Sequence, residues 1–336
     1  MRAVGLVVLM VLAGCSSEPA AGAKASPSAP PTAVATATSS PVATCRLPVY
    51  WDVNRPSPPG IDLHAGFVSV PDGAVSEVGV LPELANAFGA TYDAASDRWL
   101  RIFRQLLSPD GTEYTYWAAD PTHDEVHVVD IATGADRTIY NGPTLYIPIA
   151  FEQDVIYLVH AINPRQSVFE KLYRVDPAGG APPTLVPGSD HHMYQYGWVL
   201  ISDGAAWGID YRVQGGAYVY SVLRLDLATA EVTLWMEGPP DDQILPSGTD
   251  QLHRLYISDG QQLWRLVSPG QRDTFANPGQ VSGGASVGGS TAFVSDSKGV
   301  WFAGRAGVWF YSDAGEPKQF SVGPPDADVY PAGPCV

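Results

Sequence analysis

One pentapeptide has the pattern of a serine nucleophile. Gly284-Ala285-Ser286-Val287-Gly288 matches Gly-x-Ser-x-Gly, in which a hydrolase presents its serine on a sharp turn between a strand and a helix. The residues that follow run Gly-Ser-Thr-Ala-Phe-Val and predict a strand, so that no helix is there to complete such a turn. The pattern therefore predicts a glycine-rich strand rather than a hydrolase.

Two histidine clusters contain residue types that bind metal ions. His191 and His192 follow Asp190, and His123 and His127 lie among several carboxylates. Imidazole nitrogens and carboxylate oxygens are ligands for transition metals, but neither cluster has the spacing of a zinc site. We predict exposed loop histidines at both places, and no metal ion or other cofactor.

The segment 190–196 is the strongest candidate for a ligand site. Its sequence, Asp-His-His-Met-Tyr-Gln-Tyr, is the densest run of donors, acceptors and rings in the chain. In the architecture inferred below, it connects one repeat to the next near a central funnel, where elements converge and pockets form. We predict that Asp190, His191, His192 and Tyr194 contact a ligand. The alternative is an ordinary polar loop.

Composition and charge exclude some partners. The 336 residues contain 19 Lys and Arg against 35 Asp and Glu, which gives a net charge of −16. Because nucleic-acid binding needs a basic surface, neither DNA nor RNA is an expected partner. Apolar residues make up 45% of the chain, with 34 Gly and 30 Pro. That composition indicates a sizeable core built from many short, turn-linked elements.

The N-terminus has the pattern of a lipoprotein export signal. Arg2 precedes an apolar run, Ala3 to Leu12, that is shorter than the ~20 residues a membrane-spanning helix needs. Leu12-Ala13-Gly14-Cys15 then matches the bacterial lipobox, whose cysteine thiol receives the lipid. We predict a lipoprotein signal peptide over residues 1–14 and lipidation of Cys15. The alternative is an ordinary secretory signal with an incidental cysteine.

A tether follows the lipidated cysteine. Residues 15–44 are rich in Pro, Ala, Ser and Thr and lack any periodic apolar pattern, so they cannot bury enough surface to fold. We expect a disordered segment that separates the folded region 45–336 from the membrane. The predicted location is the outer face of the bacterial cell membrane, with the folded domain outside the cytoplasm.

Hairpin signatures recur along the folded region. A strand ending in Asp or Ser, then small residues, then another strand appears with its polar residue at 93, 130, 176, 226, 268 and 312. Within such strands apolar residues alternate, as Val126 and Val128 do. The mean spacing of about 44 residues, with four short strands per unit, is typical of a β-propeller. We predict an all-β fold, a propeller of six four-stranded blades, or seven if 45–87 holds a blade of its own.

A second set of turns carries a family resemblance. Ser108-Pro109-Asp110-Gly111, followed by Tyr114 to Trp117, resembles the repeats of TolB-type and WD-repeat-like propellers of bacterial envelopes. The segment Val294 to Gly304 resembles repeats of two-component-regulator sensor propellers and lyase-type propellers. The resemblance implies blades over most of 88–322, but it implies no particular reaction.

The two remaining cysteines stand at the ends of the folded region. Cys45 opens it and Cys335 is the penultimate residue. An even pair in an exported protein predicts a disulfide, and a ring needs its first and last blades held together. We predict a structural Cys45–Cys335 bond. A redox-active pair is disfavoured because no Cys-x-x-Cys spacing occurs.

The sequence thus predicts a lipid-anchored binding module of the cell envelope. Its partners are the membrane, through the anchor, and a glycan, a peptide or another envelope protein; a monomer is expected. One alternative is a propeller-type enzyme, a lyase or glycoside-active protein working at the central funnel. Another is a sensory or envelope-assembly component that acts by protein contacts. Fold alone does not choose among them.

Overall fold

The chain folds almost entirely into β-strands. The computed structural model describes residues 44–56, 59–81, 89–119, 123–163, 168–190, 197–258, 263–274, 293–312, 318–323 and 327–336. Within those ranges the only helix is one short 3₁₀ turn. No helix in this part of the chain is long and apolar enough to cross a membrane.

Five strands and the 3₁₀ helix form the N-terminal part. They are β1 (Cys45–Pro56), β2 (Pro59–Val70), β3 (Val75–Val80), β4 (Thr91–Asp93), β5 (Arg98–Leu100) and the 3₁₀ helix Arg104–Leu106. β1 and β2 pair along their whole length, and β3 pairs with β2. β4 and β5 form a separate short hairpin. The rings of Tyr92 and Trp99 pack on Phe67 of β2 at 4.9 and 5.7 Å, and attach this hairpin to the first sheet.

Four antiparallel meanders follow in chain order. The first has three strands, β6 (Glu113–Ala119), β7 (Asp124–Asp130) and β8 (Asp136–Gly142). The second consists of β9 (Tyr146–Glu152), β10 (Val155–Asn163), β11 (Val168–Val175) and β12 (Thr184–Leu185). The third consists of β13 (Gly197–Ser202), β14 (Ala205–Gln214), β15 (Ala217–Asp226) and β16 (Val232–Pro240). The fourth consists of β17 (Leu245–Thr249), β18 (Leu255–Ser258), β19 (Leu263–Ser268) and β20 (Gln271–Thr274).

The last strands join the two ends of the folded region. They are β21 (Phe293–Asp296), β22 (Gly299–Arg305), β23 (Gly307–Tyr311), β24 (Lys318–Ser321) and β25 (Asp328–Pro331). β21 to β24 form a meander of their own, whereas β25 pairs with both β22 and β1. The first and last sheets therefore merge into one sheet of eight strands.

Strand alternation and turn chemistry follow the sequence. Val126 and Val128 of β7 are fully buried, as predicted from their spacing. The aspartates at the hairpin turns bond to backbone N–H groups two or three residues ahead: Thr133 donates to Asp130 at 2.7 Å, Ala178 to Asp176 at 2.8 Å. These carboxylates are structural, because they satisfy the donors that a tight turn leaves unpaired.

Apolar side chains fill the spaces between successive sheets. One cluster joins the β6–β8 sheet to the β9–β12 sheet through Val128 and Phe151. Trp198 and Trp207 lie in two further clusters, one on each side of the β13–β16 sheet. Tyr256 and Phe302 join the last two meanders. The sheets thus stack face to face in chain order, which is the packing of a β-propeller.

A disulfide and backbone pairing fasten the C-terminus to β1. Cys45 and Cys335 are bonded, with their Cα atoms 5.7 Å apart, which confirms the predicted bridge. The backbones of Arg46 and Val336 bond to each other in both directions, at 2.8 and 3.0 Å. The N–H of Ala332 donates to the Pro48 carbonyl at 2.8 Å. The C-terminal segment therefore extends the pairing of β25 along β1.

The fold confirms part of the sequence prediction. The all-β class, the propeller-like stacking and the disulfide agree with it. The count of six four-stranded blades is not confirmed, since three separate four-stranded sheets stand beside one of eight, one of three and one of two strands in the described residues.

Candidate functional site

A cavity lies where the first strands of successive sheets end. Its volume is about 540 Å³, within the range of small-molecule sites. β9, β13, β17 and β21 are neighbours in that order around it, and β9 also packs against the 3₁₀ helix. The walls come from six parts of the chain: 92–95, 104–111, 150–152, 200–202, 247–249 and 293–295, with Pro334.

The lining comes from the ends of these four strands, as three consecutive residues of β9, β17 and β21 and as the alternate pair of β13. Residues at i and i+2 share a face of a strand, and the cavity is lined by such pairs as Ala150 and Glu152 or Leu200 and Ser202. Between β17 and β21 the backbone comes close to a ring: a Cβ at Gly248 would clash with Phe293. Only glycine lets the two strands approach this closely.

Arg104 contributes the positive charge of the cavity. Its side chain lines the cavity and is exposed there. The loss of bulk solvent lowers the pKa of the guanidinium, against the opposing attraction of Asp93. Its side chain has no hydrogen bond or ion pair with any described residue. Nη1 lies 3.6 Å from the position that a Cβ on Gly333 would take, so the guanidinium sits beside the C-terminal segment.

Glu152 contributes a carboxylate without a hydrogen-bond partner among the described residues. It ends β9 and is half-buried in the cavity wall. Burial raises the pKa of this carboxyl group, and the nearby negative charge of Asp203 raises it further. A partly buried carboxylate that nothing pairs is costly to keep ionised, which marks it as a group with unused binding capacity.

The other two cavity carboxylates are already satisfied. Asp93 accepts hydrogen bonds from the backbone N–H groups of Ala95 and Ser96, both at 3.2 Å, and from the Ser96 hydroxyl at 2.5 Å. Asp110 accepts from the Ser108 hydroxyl at 2.7 Å and from Thr112, which lowers its pKa. These two residues hold turns in place.

Hydroxyl groups line the remaining wall. Ser202 and Thr249 share a hydrogen bond of 2.5 Å across the β13–β17 boundary. The Oγ of Ser295 is buried and has no partner in the described part of the chain. A buried hydroxyl without a partner is uncommon, because each one costs free energy. The cavity therefore offers one cation, one carboxylate and neutral donors and acceptors.

The sequence prediction placed the ligand site elsewhere. Asp190 is exposed and does not line this cavity. His191, His192 and Tyr194 lie outside the described residues, as do Ser286 and Cys15, so these assignments stay predictions. The segment 190–196 leads into the beginning of β13, whereas the cavity touches β13 at its other end, at Leu200 and Ser202.

The second histidine cluster lies outside the cavity, and the prediction of an exposed loop histidine is wrong for His127, which lies within β7 with its side chain 12% exposed. His127 lies between Glu125 and Asp136, with N···O distances of 3.1 and 2.9 Å, and its ring stacks on Tyr116 at 4.7 Å. Both ring nitrogens therefore lie within hydrogen-bonding distance of carboxylates. No group of three or more His, Cys, Asp or Glu among the described residues has the arrangement of a metal site.

Some cavity residues that the sequence analysis did not predict could have been identified from their position in the repeat. Ser202 and Ser295 stand immediately before the second set of turns, where each first strand ends. That position could have identified them and Glu152. No local pattern marks Arg104, because it enters the cavity from the 3₁₀ helix that replaces a regular strand.

No known protein family and no curated protein matches the sequence. Similar solved structures include the β-propeller domain of the trilobed protease from Pyrococcus furiosus, 11% identical over 82% of this chain and 80% of that one, with a TM-score of 0.44. TolB from Acinetobacter baumannii is 12% identical over 85% and 63%, with a TM-score of 0.33. An acylaminoacyl peptidase is 8% identical over 82% of this chain, with a TM-score of 0.44, and this chain spans only 44% of its length.

Proposed function

We propose that this chain is a lipid-anchored β-propeller of the cell envelope that binds a small polar ligand in its central cavity. The unpaired charges of the cavity carry the proposal. Arg104 and Glu152 both line one concave site and neither has an ion-pair partner among the described residues. Charged groups that burial perturbs within a pocket are typical of binding and active sites.

We infer a ring of six blades around that cavity. The isolated bridge between Leu107 and Tyr114 supports counting the 3₁₀ segment as the first strand of the β6–β8 sheet. β4 and β5 are then an insertion between the first two blades. The six blades are β25 with β1–β3, the 3₁₀ segment with β6–β8, β9–β12, β13–β16, β17–β20 and β21–β24.

Blocking the cavity should abolish ligand-induced stabilisation. Ala95 is exposed at the cavity wall, so Ala95→Trp places an indole in the site without disturbing the core. We expect a compound from a panel of muropeptides, glycan oligomers and short peptides to raise the Tm of the wild type by several degrees, because it binds only the folded state. The same compound should leave the Tm of Ala95→Trp unchanged.

Ala178→Trp is the matched control for the blocked cavity. Like Ala95, Ala178 is exposed and donates its N–H to the aspartate two residues earlier in its turn, here Asp176. Unlike Ala95, it does not line the cavity. This variant should respond to the ligand as the wild type does. A ligand that stabilises Ala95→Trp as strongly as Ala178→Trp would contradict binding at the cavity.

The proposed anchor predicts a change of location. Cys15→Ala removes the thiol that would carry the lipid, and two acyl chains are what makes such anchoring stable. The variant should therefore leave the membrane fraction, whereas Ser16→Ala should remain in it. Fractionation and immunoblotting measure both. A Cys15→Ala protein that stays membrane-bound without accumulating precursor would count against the anchor.

One observation favours catalysis as a second candidate function. The raised pKa of Glu152 suits a group that exchanges protons. If the cavity is catalytic, a bound compound should be converted to product, and Glu152→Gln should stop turnover while binding persists. Mass spectrometry of the incubated ligand distinguishes the two functions.

A further inference from the structure

The cavity holds charged groups of both signs on two elements that pack together, the 3₁₀ helix and β9. The guanidinium of Arg104 lies beside Gly333 and is attracted by Asp93. Glu152, on β9, is influenced instead by Asp203, a residue of the turn after β13 that lies outside the cavity lining. The cavity therefore contains one cation and a separate carboxylate, Glu152, that has no hydrogen-bond partner among the described residues.

The cavity groups that remain available to a ligand include one acceptor for a cation and several neutral hydroxyls. The oxygens of Asp93 and Asp110 are engaged by hydroxyls and backbone N–H groups of their own turns, which leaves Glu152 as the cavity acceptor for a cation. Neutral hydroxyls of Ser202, Thr249 and Ser295 lie on β13, β17 and β21, of which β13 packs against β9. Those groups can bond a peptide amide or a hydroxyl between two charged ends.

We propose that the ligand is a small zwitterion of the peptide or amino-acid class, whose carboxylate pairs with Arg104 and whose ammonium group pairs with Glu152. The proposal rests on the proposed function, that this cavity is the binding site. The volume of about 540 Å³ corresponds to a space on the order of 10 Å across, which accommodates a short peptide.

Electrostatics disfavour ligands with one kind of charge. A purely anionic ligand would meet three cavity carboxylates, Asp93, Asp110 and Glu152, and one cation. A purely cationic ligand would add positive charge to a cavity that holds Arg104 and would offer its guanidinium no acceptor. A zwitterion supplies a partner to each unpaired group, and hydrogen bonds that involve charged groups are stronger than those between neutral groups.

The test changes the ligand first. Titration calorimetry with the full-length chain compares Ala-Ala-Ala with its C-terminal amide and its N-acetyl form, each of which lacks one charge. We expect the wild type to bind the free peptide at least about tenfold more tightly than either capped form. Because the protein is unchanged, misfolding cannot account for the result.

Two variants then assign the charges. Arg104→Gln should bind the free peptide and the amide equally, and Glu152→Gln should bind the free peptide and the N-acetyl form equally. Arg272→Gln and Glu231→Gln are the controls, since both residues are exposed and lie outside the cavity. They should keep the selectivity of the wild type.

The outcomes separate this inference from the proposed function. If no tripeptide binds, or the capped forms bind as tightly as the free one, the zwitterion class is wrong. A glycan that stabilises the wild type but not Ala95→Trp would in that case leave the proposed cavity function intact. If the free peptide binds Ala95→Trp as tightly as the wild type, both proposals fail.

Discussion

Reducing the Cys45–Cys335 disulfide should lower the free energy of unfolding by as much as about 5 kcal/mol. The bond closes a loop of 290 residues, so it removes much of the conformational freedom of the unfolded chain. It also holds β25 and the C-terminal segment against β1. Urea unfolding with and without a reductant measures the difference.

The double variant Cys45→Ser, Cys335→Ser is the control for this experiment. It should be destabilised like the reduced wild type, and adding reductant should change it no further. If the reduced wild type unfolded at the same urea concentration as the oxidised protein, the prediction would be wrong. Backbone pairing alone would then hold the C-terminal segment against β1.

After loss of the disulfide, the largest loss of stability that we predict follows replacement of one buried side chain, Asp250. Asp250 and Tyr256 are buried, 7% and 0% exposed. Asp250 accepts hydrogen bonds from Arg254 Nε at 2.6 Å and Tyr256 at 2.9 Å, and from two backbone N–H groups. Asp250→Ala removes the acceptor of all four of these hydrogen bonds. We expect a loss of about 3–5 kcal/mol in the free energy of unfolding, measured by urea denaturation.

Asp273→Ala is the matched control. Asp273 also pairs with an arginine, Arg265, at 2.9 Å, but its side chain is 56% exposed. An exposed pair contributes less than about 1 kcal/mol, so this variant should unfold close to the wild type. Equal losses in the two variants would show that burial of the Asp250 network adds nothing.

Acid should remove the contribution of Asp250. Burial alone would raise its pKa, but the hydrogen bonds from Arg254 and Tyr256 outweigh burial and lower it. A carboxyl whose pKa is lower in the folded state stabilises the fold above its unfolded pKa of about 3.9. The stability difference between wild type and Asp250→Asn should therefore be constant near neutral pH and shrink as the pH falls below about 4.

Local features of the fold could be predicted from the sequence. Alternation identified the buried face of β7, where Val126 and Val128 lie, and small residues after aspartate identified the turns at Asp130 and Asp176. These features depend on residues close together in the chain. The disulfide followed from the count of cysteines, because only two remained to pair.

Features that join distant parts of the chain could not be predicted in this way. The pairing of β25 with β1 depends on which strand edges meet after the sheets have stacked. The hairpin at Asp93 fits the same repeat pattern as the others, yet β4 and β5 form a separate two-stranded sheet whose β4 end and turn line the cavity. Arg104 belongs to the site because the C-terminal segment lies beside it.

The order of synthesis has a consequence for this closure. β1 leaves the ribosome first, yet the strand that pairs with its free edge is made last. Until β25 has been made, β1 presents that edge to solvent, where it can pair with other chains. Pro334 belongs to the cavity wall, so a nascent or truncated chain lacks the complete site. The cavity wall is therefore complete only once the segment that contains Pro334 has been made and has paired with β1.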